Sequence, residues 1–243
     1  MVNSPPDGYT LLFVAASAAV NMSLFENLSF DLLRDIAPVA GLIDFPLVMV
    51  ANTSLPATNV AELIAYAKTR PGELSLASFG AGSTSHVAGE LFKMMAGVDM
   101  VHVPYRGGAA MVTNLIGGQV HVGVDVLTGS LEHIRVSKLR ALAVLGKTRT
   151  ELLPGTPTVA ETVPEYEANS WCGIGVPRGT PTEIIERLNR EINAGLNDPI
   201  VKARLAQVAT TPILFTPAEF GAYMTAEVAK WAKVVRAAKI KPE

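Results

Sequence analysis

The chain has 243 residues, 49% of them hydrophobic and 17% charged, which is enough to bury the core of one large or two medium domains. A net charge of −2 and the lack of any Lys/Arg cluster argue against a nucleic-acid-binding protein. The most apolar segment, residues 9–22, is shorter than the roughly 18 to 20 residues of a membrane-spanning helix and lacks the basic start of a secretory signal.

The first predicted elements follow a turn at Pro5-Pro6-Asp7-Gly8. Residues 9–14 form a continuous apolar run with the length of a buried strand. The small residues 15–19 suit either the wall of a cleft or the underside of a packed helix, and the sequence is compatible with both. Residues 39–52 contain two apolar segments, the second of which predicts a strand.

The middle of the chain alternates between strand and helix patterns. Asn59, with Glu62 three positions later, forms a capping box that predicts the start of a helix. Beyond it, the predicted strands are 74–78, 100–105, 120–126 and 139–145, and the predicted helices are 86–95, 109–116 and 130–136. This alternation predicts βαβ units around a parallel sheet covered by helices.

Ligands bind such sheets at the carboxyl ends of the strands, where the predicted loops are 79–85, 106–108 and 125–129. In the first loop, Gly80 and Gly82 allow a close backbone approach, and the helix that follows begins with unpaired N–H groups. These features predict a site for a carboxylate or a phosphate. They are equally compatible with a tight turn and a hydroxyl N-cap.

The C-terminal part contains an irregular segment at 153–167, a strand at 170–176 and two long helices. Thr180 and Thr216 are predicted N-caps, because each precedes a proline and has a glutamate at the third position after it. Cys172, the single cysteine, lies in the strand and excludes an internal disulfide. We expect it to be a small buried hydrophobic residue rather than a nucleophile.

Common catalytic and cofactor motifs are missing from the sequence. The four histidines show no metal-ligand spacing, so no metal site is predicted, and His86 is expected to be structural and partly exposed. There is no Gly-x-Ser-x-Gly elbow, dinucleotide fingerprint or P-loop, so no cofactor is predicted. Asp125, at the end of a predicted buried strand, could orient a loop, cap the next helix or accept a hydrogen bond from a ligand.

Several motifs resemble those of one family. They are PPDGYTLL at residues 5–12, GAGSTSHVAGELF at 80–92, VPYRGG at 103–108, GGQV at 117–120 and KLRALAV at 138–144. In this order they are similar to the Bug (TctC-type) solute-binding proteins, the extracytoplasmic receptors of tripartite tricarboxylate transporters. The resemblance runs from Pro5 to the C-terminus.

The resemblance implies an α/β, two-lobed periplasmic-binding-protein fold of type 2, in which each lobe is a mostly parallel sheet flanked by helices. Lobe 1 would comprise residues 1–46 and 174–243, and lobe 2 residues 47–173. The implied function is that of a periplasmic receptor for a small carboxylate, without catalysis, that delivers its solute to the membrane subunits of the transporter. The implied ligand contacts are Ala16, Ser17, Phe79, Gly80, Gly82, Ser83, Thr84 and Asp125, with backbone amides and water holding the carboxylates.

Family members open with a signal peptide and a strand–loop–helix portion before the Pro-Pro-Asp-Gly turn, and this chain begins at that turn. The first lobe is therefore expected to be incomplete at its N-terminus and solute binding to be weak. The family also often has Asp-Asn where this chain has Asp125-Val126. Two alternatives are an enzyme acting on a small anionic metabolite at the same helix start and the effector domain of a transcription regulator, which the lack of basic charge disfavours.

Overall fold

A computed structural model describes residues 2–25 and 27–241 and has the α/β fold expected from the sequence. The strands are β1 Leu12–Ala15, β2 Ile36–Asn52, β3 Ser75–Ser78, β4 Val101–Pro104, β5 Val122–Val126, β6 Leu139–Val144, β7 Asn169–Pro177 and β8 Thr211–Pro212. The helices are α1 Ala16–Leu24, α2 Leu32–Asp35, α3 Val60–Lys68, α4 Thr84–Ala96, α5 Gly108–Ile116, α6 Leu127–Arg135, α7 Thr182–Asn197, α8 Pro199–Gln207 and α9 Pro217–Ala237.

The chain divides into two compact units. The first unit runs to Phe45 and resumes at Ser170, and the second unit is Pro46–Asn169. Strand β2 passes from the first unit to the second between Phe45 and Pro46. No helix in the described part of the chain is both long and apolar enough to cross a membrane.

The second unit is built on a sheet with the order β6-β2-β5-β3-β4. Strand β3 is parallel to both β4 and β5, whereas β2 is antiparallel to β5 and β6. Four of the five strands therefore run in one direction, as the alternating sequence pattern predicts. The core beneath the sheet contains fully buried aliphatic side chains, among them Leu63, Leu76, Met111, Leu115 and Val124.

The first unit departs from the expectation of a mostly parallel sheet. Its pairs β1–β7 and β2–β8 are both antiparallel, with Val14 opposite Gly173 and Ile43 opposite Pro212. Parallel neighbours usually arise from a helical crossover between consecutive strands. Here β7 returns after the whole of the second unit, so no such crossover sets its direction.

The small residues after β1 lie in a helix. They begin α1, which packs against α9 and buries Ala16, Ala19 and Val20. Alanines allow two helices to approach closely, and this explains the run of small side chains. Of the two alternatives compatible with the sequence, the packed helix is the one observed.

The helix starts follow the predicted caps in two cases and differ in a third. The Asn59 side chain accepts a hydrogen bond from the Glu62 amide at 2.9 Å, and Thr216 forms a complete capping box with Glu219. The prediction for Thr180 was wrong. Its hydroxyl donates to the Pro177 carbonyl at 2.8 Å, and α7 begins two residues later without a side-chain cap.

A buried carboxylate lies at the centre of the first unit. Glu227, on α9, is only 6% exposed, and its Oε2 accepts hydrogen bonds from the indole N–H groups of Trp171 at 3.0 Å and Trp231 at 2.8 Å. Lys230 donates to Oε1 at 3.1 Å. The carboxylate thus joins β7 to α9 and satisfies two indoles that would otherwise be buried without an acceptor.

We predict that Glu227→Leu lowers the free energy of unfolding by about 3 kcal/mol, because two buried N–H donors lose their acceptor. Glu227→Gln, which keeps one acceptor oxygen, should cost about half as much. Urea denaturation followed by tryptophan fluorescence measures both. Glu186→Leu, on the exposed side of α7, is the matched control, and an equal loss in the control would contradict the prediction.

Candidate functional site

Three helices begin at one edge of the second unit's sheet. The adjacent parallel strands β5, β3 and β4 end at Val126, Ser78 and Pro104, and α6, α4 and α5 follow them. Because the strands are parallel, the three helix starts lie at the same edge of the sheet. Each helix start carries a partial positive charge, so this edge favours a bound anion.

The loops at this edge are in direct contact. The Tyr105 amide donates to the Ser78 carbonyl at 2.9 Å, and the Gly107 amide donates to the Phe79 carbonyl at 3.1 Å. The loop after β3 is therefore attached to the loop after β4. Gly107 has φ = 100°, a value that side-chain-bearing residues rarely adopt, so this connection depends on glycine.

Helices α5 and α6 begin without a side-chain cap. Their N-cap residues, Gly107 and Val126, accept no hydrogen bond through a side chain, and neither helix has an acidic residue in its first turn. By contrast, α2, α3, α8 and α9 are capped by Asp31, Asn59, Asp198 and Thr216. The first-turn amides of α5 and α6 therefore have no acceptor from an N-cap side chain, and beside them the Asp125 carboxylate accepts a backbone hydrogen bond from Val126.

Residues 79–83, here called the glycine loop, precede α4. This loop forms more hydrogen bonds within itself and with α4 than the sequence predicts. The Gly82 amide donates to Nδ1 of His86 at 3.1 Å, and the Ser83 amide donates to the Gly80 carbonyl at 3.2 Å. The Ser83 hydroxyl also donates to the Gly80 carbonyl and accepts from the His86 amide at 3.3 Å, which makes Ser83 the N-cap of α4. The expectation that these two amides are free for a carboxylate is therefore corrected.

Asp125 is buried beside the starts of α5 and α6. Its carboxylate accepts a hydrogen bond from the Ser130 hydroxyl at 2.6 Å, and a Cβ added at Gly108 or Gly129 would come within 3.1 or 2.7 Å of it. Burial raises the pKa of Asp125, while the hydrogen bond from Ser130 acts in the opposite direction. The N-cap of α6 is Val126, so Asp125 does not cap this helix through its side chain, and its bond to Ser130 attaches it to the first turn of α6.

Two histidines that are distant in sequence stack on each other next to the glycine loop. His86 and His102 stack with ring centroids 3.6 Å apart and an interplanar angle of 4°. His86 is only 7% exposed, so the expectation of a partly exposed histidine was wrong. The sequence gives no indication of this stack, because His102 lies on β4 and reaches α4 only through the pairing of β4 with β3.

Ala16 and Ser17 belong to the first unit, at the start of α1. Ala16 is buried against the core, and Ser17 is half-buried. The N-cap of α1, Ala15, provides no side-chain cap. Helix α1 therefore begins in the same uncapped way as α5 and α6.

Among residues 2–25 and 27–241, no three His, Cys, Asp or Glu side chains are grouped so that they could hold a metal ion. Cys172 is buried in β7, as predicted, and burial raises the pKa of its thiol.

Comparison with known proteins identifies the family. The family model described as tripartite tricarboxylate transporter family receptor matches residues 1–240. The chain belongs to this family. The resemblance to Bug proteins is thereby confirmed. A protein similar to the chain is Protein BugT of Bordetella pertussis, 39% identical over 236 residues that cover 96% of this chain and 72% of that protein.

Solved structures agree with this assignment. "R. palustris Rpa4515 with adipate" superposes with a TM-score of 0.88 at 37% identity and covers 100% of this chain and 82% of that one. The periplasmic binding protein BugD gives 0.85 at 29% identity, covering 100% and 82%. MatC from Rhodopseudomonas palustris with bound malate gives 0.82 at 26% identity, covering 96% and 81%. The family and these neighbours are binding proteins.

The lowered pKa values of His86 and His102 allow us to predict how the free energy of unfolding depends on pH. The pKa of His86 is lowered to about 4, first by burial and then by Lys93, and that of His102 to about 3, by burial, His86 and Lys93. Both therefore stay neutral in the folded chain, whereas an unfolded chain binds protons below a pKa of 6.5. The free energy of unfolding consequently falls as the pH decreases from 6.5 towards about 4 and about 3.

Between pH 7 and pH 5, we expect the pair to lower the free energy of unfolding by about 3 to 4 kcal/mol. Chemical denaturation followed by circular dichroism at the two pH values measures the change. The double variant His86→Asn/His102→Gln, which cannot titrate at these positions, should lose correspondingly less. An equal loss in the wild type and the double variant would show that the two histidines are not responsible.

Proposed function

We propose that this receptor binds a small dicarboxylate at the edge of the second unit where α4, α5 and α6 begin, and delivers it in the periplasm to the membrane subunits of a tripartite transporter. It catalyses no reaction. The observation that supports the proposal most strongly is the pair of uncapped helices α5 and α6 beside the glycine loop. The N–H groups at the starts of these helices match the acceptor oxygens of a carboxylate.

The structural neighbours support this class of solute. Two of the structures contain adipate and malate, which are both dicarboxylates. A carboxylate held by two or three backbone amides gains roughly 1.5 to 3 kcal/mol per hydrogen bond, so two carboxylates supply the roughly 8 kcal/mol of a micromolar complex. No buried arginine is needed for this.

The proposed contacts from the second unit are Phe79, Gly80, Gly82, Ser83, Thr84 and Asp125, and those from the first unit are Ala16 and Ser17. The amides of Gly82 and Ser83 already donate hydrogen bonds within the protein, so we propose that these two residues fix the shape of the loop and do not donate to the solute. We assign direct donation to the first turns of α5 and α6.

We also propose that the two ligand-binding lobes are residues 1–46 with 174–243, and residues 47–173. The chain passes from one compact unit to the other after Phe45 and again after Asn169, and this supports lobe boundaries in these regions.

Calorimetry with matched acids tests the proposed solute class. Adipate and hexanoate have the same number of carbons and differ by one carboxylate. We expect adipate to bind about 100-fold or more tightly, because the second carboxylate contributes two or more charged hydrogen bonds. Equal affinity for the two acids would contradict the proposal, and a micromolar Kd for adipate would contradict the weak binding expected from the sequence.

A glycine substitution tests the position of the site. In Gly129→Ala, the new Cβ would lie 2.7 Å from Oδ2 of Asp125, so the carboxylate or the start of α6 has to move. We expect adipate affinity to fall at least tenfold, about 1.4 kcal/mol. Gly155→Ala, where a Cβ meets nothing within 4 Å, is the control. Unchanged affinity in Gly129→Ala would place the solute away from α6.

A further inference from the structure

We propose that His86 and His102 are positioning residues that hold the glycine loop from below, His86 through the Gly82 amide and His102 through the Ser78 hydroxyl. The inference rests on the proposed function, because the loop is part of the proposed dicarboxylate site. It assigns a role in solute binding to two side chains that lie beneath the loop.

The first contact fixes the C-terminal end of the loop. Gly82 has φ = 69°, in the left-handed region, and its amide points to Nδ1 of His86 at a distance of 3.1 Å. Both groups are buried, so without this acceptor the amide would lose its hydrogen bond to water and gain none in return. The imidazole therefore stabilises the turn that brings Ser83 to the start of α4.

The second contact fixes the N-terminal end. Nε2 of His102 lies 2.8 Å from the Ser78 hydroxyl, which donates to the Gly80 carbonyl at 3.1 Å. A hydroxyl has a single hydrogen, so His102 is the donor in the first of these bonds. The same carbonyl accepts from the amide and the hydroxyl of Ser83, and Gly80 is thereby held by three donors.

The stacked rings couple the two contacts. Centroids 3.6 Å apart and nearly parallel planes mean that neither ring can tilt without displacing the other. The orientation of His86 therefore depends on the bond between His102 and Ser78, and the reverse is also true. The two ends of the loop are held by one rigid unit.

The neighbouring charges are consistent with two neutral rings. Nε2 of His86 lies 3.9 Å from Oε1 of Glu90, which accepts a hydrogen bond from Lys93 at 2.8 Å. The acidic side chain is thus neutralised by lysine. Because Nδ1 of His86 accepts from Gly82, the hydrogen of its neutral ring is on Nε2. The lowered pKa values of both histidines agree with this assignment.

A pair of substitutions separates the acceptor from the ring. His86→Phe keeps a ring for stacking and removes the acceptor, whereas His86→Asn keeps an acceptor oxygen close to the position of Nδ1 and removes the ring. We expect His86→Phe to lower adipate affinity at least tenfold and to speed hydrogen exchange at the Gly82 amide at least tenfold. His86→Asn should retain both within about threefold.

A third histidine provides the matched control. Nδ1 of His121 also accepts a backbone amide at 3.1 Å, that of Ser75, at the opposite end of β3. His121→Phe removes the same kind of bond far from the loop. It should leave adipate affinity and Gly82 exchange unchanged.

Exchange is measured by NMR on the solute-free protein, so it tests the positioning role even if adipate does not bind. Unchanged exchange at the Gly82 amide in His86→Phe, or equally faster exchange at this amide in His86→Asn, overturns the inference.

A second variant is needed if His86→Phe destabilises the whole second unit, which faster exchange at the core amide of Leu115 would reveal. Ser78→Ala is that variant, because it removes the hydroxyl that joins His102 to the loop. Faster exchange at the Ser83 amide with a normal Leu115 amide supports the inference, and no change at Ser83 overturns it. Absence of adipate binding by the wild type would contradict the proposed function alone.

Discussion

The parallel arrangement of β5, β3 and β4 is the constraint on which the candidate site depends. Parallel strands end on one side of a sheet, and the helix after each strand must begin there. Three partial positive charges are thereby concentrated at one edge, and no lysine or arginine is buried in the part of the chain that the structure describes. Two of these helices, α5 and α6, begin without a side-chain cap, and this is the observation on which the proposed position of an anionic solute rests.

The glycine loop before α4 differs from the other two helix starts. Its amides at Gly82 and Ser83 are engaged within the loop, so its contribution is a fixed shape rather than a set of free donors. A preformed loop loses little conformational entropy when a solute binds. In the proposed site, the fixed loop before α4 would therefore complement the uncapped starts of α5 and α6.

Much of the second unit could be predicted from the sequence, because strand and helix patterns alternate there and glycines mark the turns. The small residues at the start of α1 were ambiguous, since a cleft wall and a packed helix favour the same side chains. The stack of His86 on His102 and the burial of Glu227 between Trp171 and Trp231 could not be predicted. Both depend on contacts between segments that are distant along the chain.

The position of the tryptophans has a spectroscopic consequence. The sequence contains two tryptophans, and both donate to the carboxylate of Glu227 in the first unit. The candidate loops of the second unit carry no indole at all. Tryptophan fluorescence therefore does not report events confined to those loops, and a change in tryptophan emission on adding a solute would show that the effect had reached the first unit.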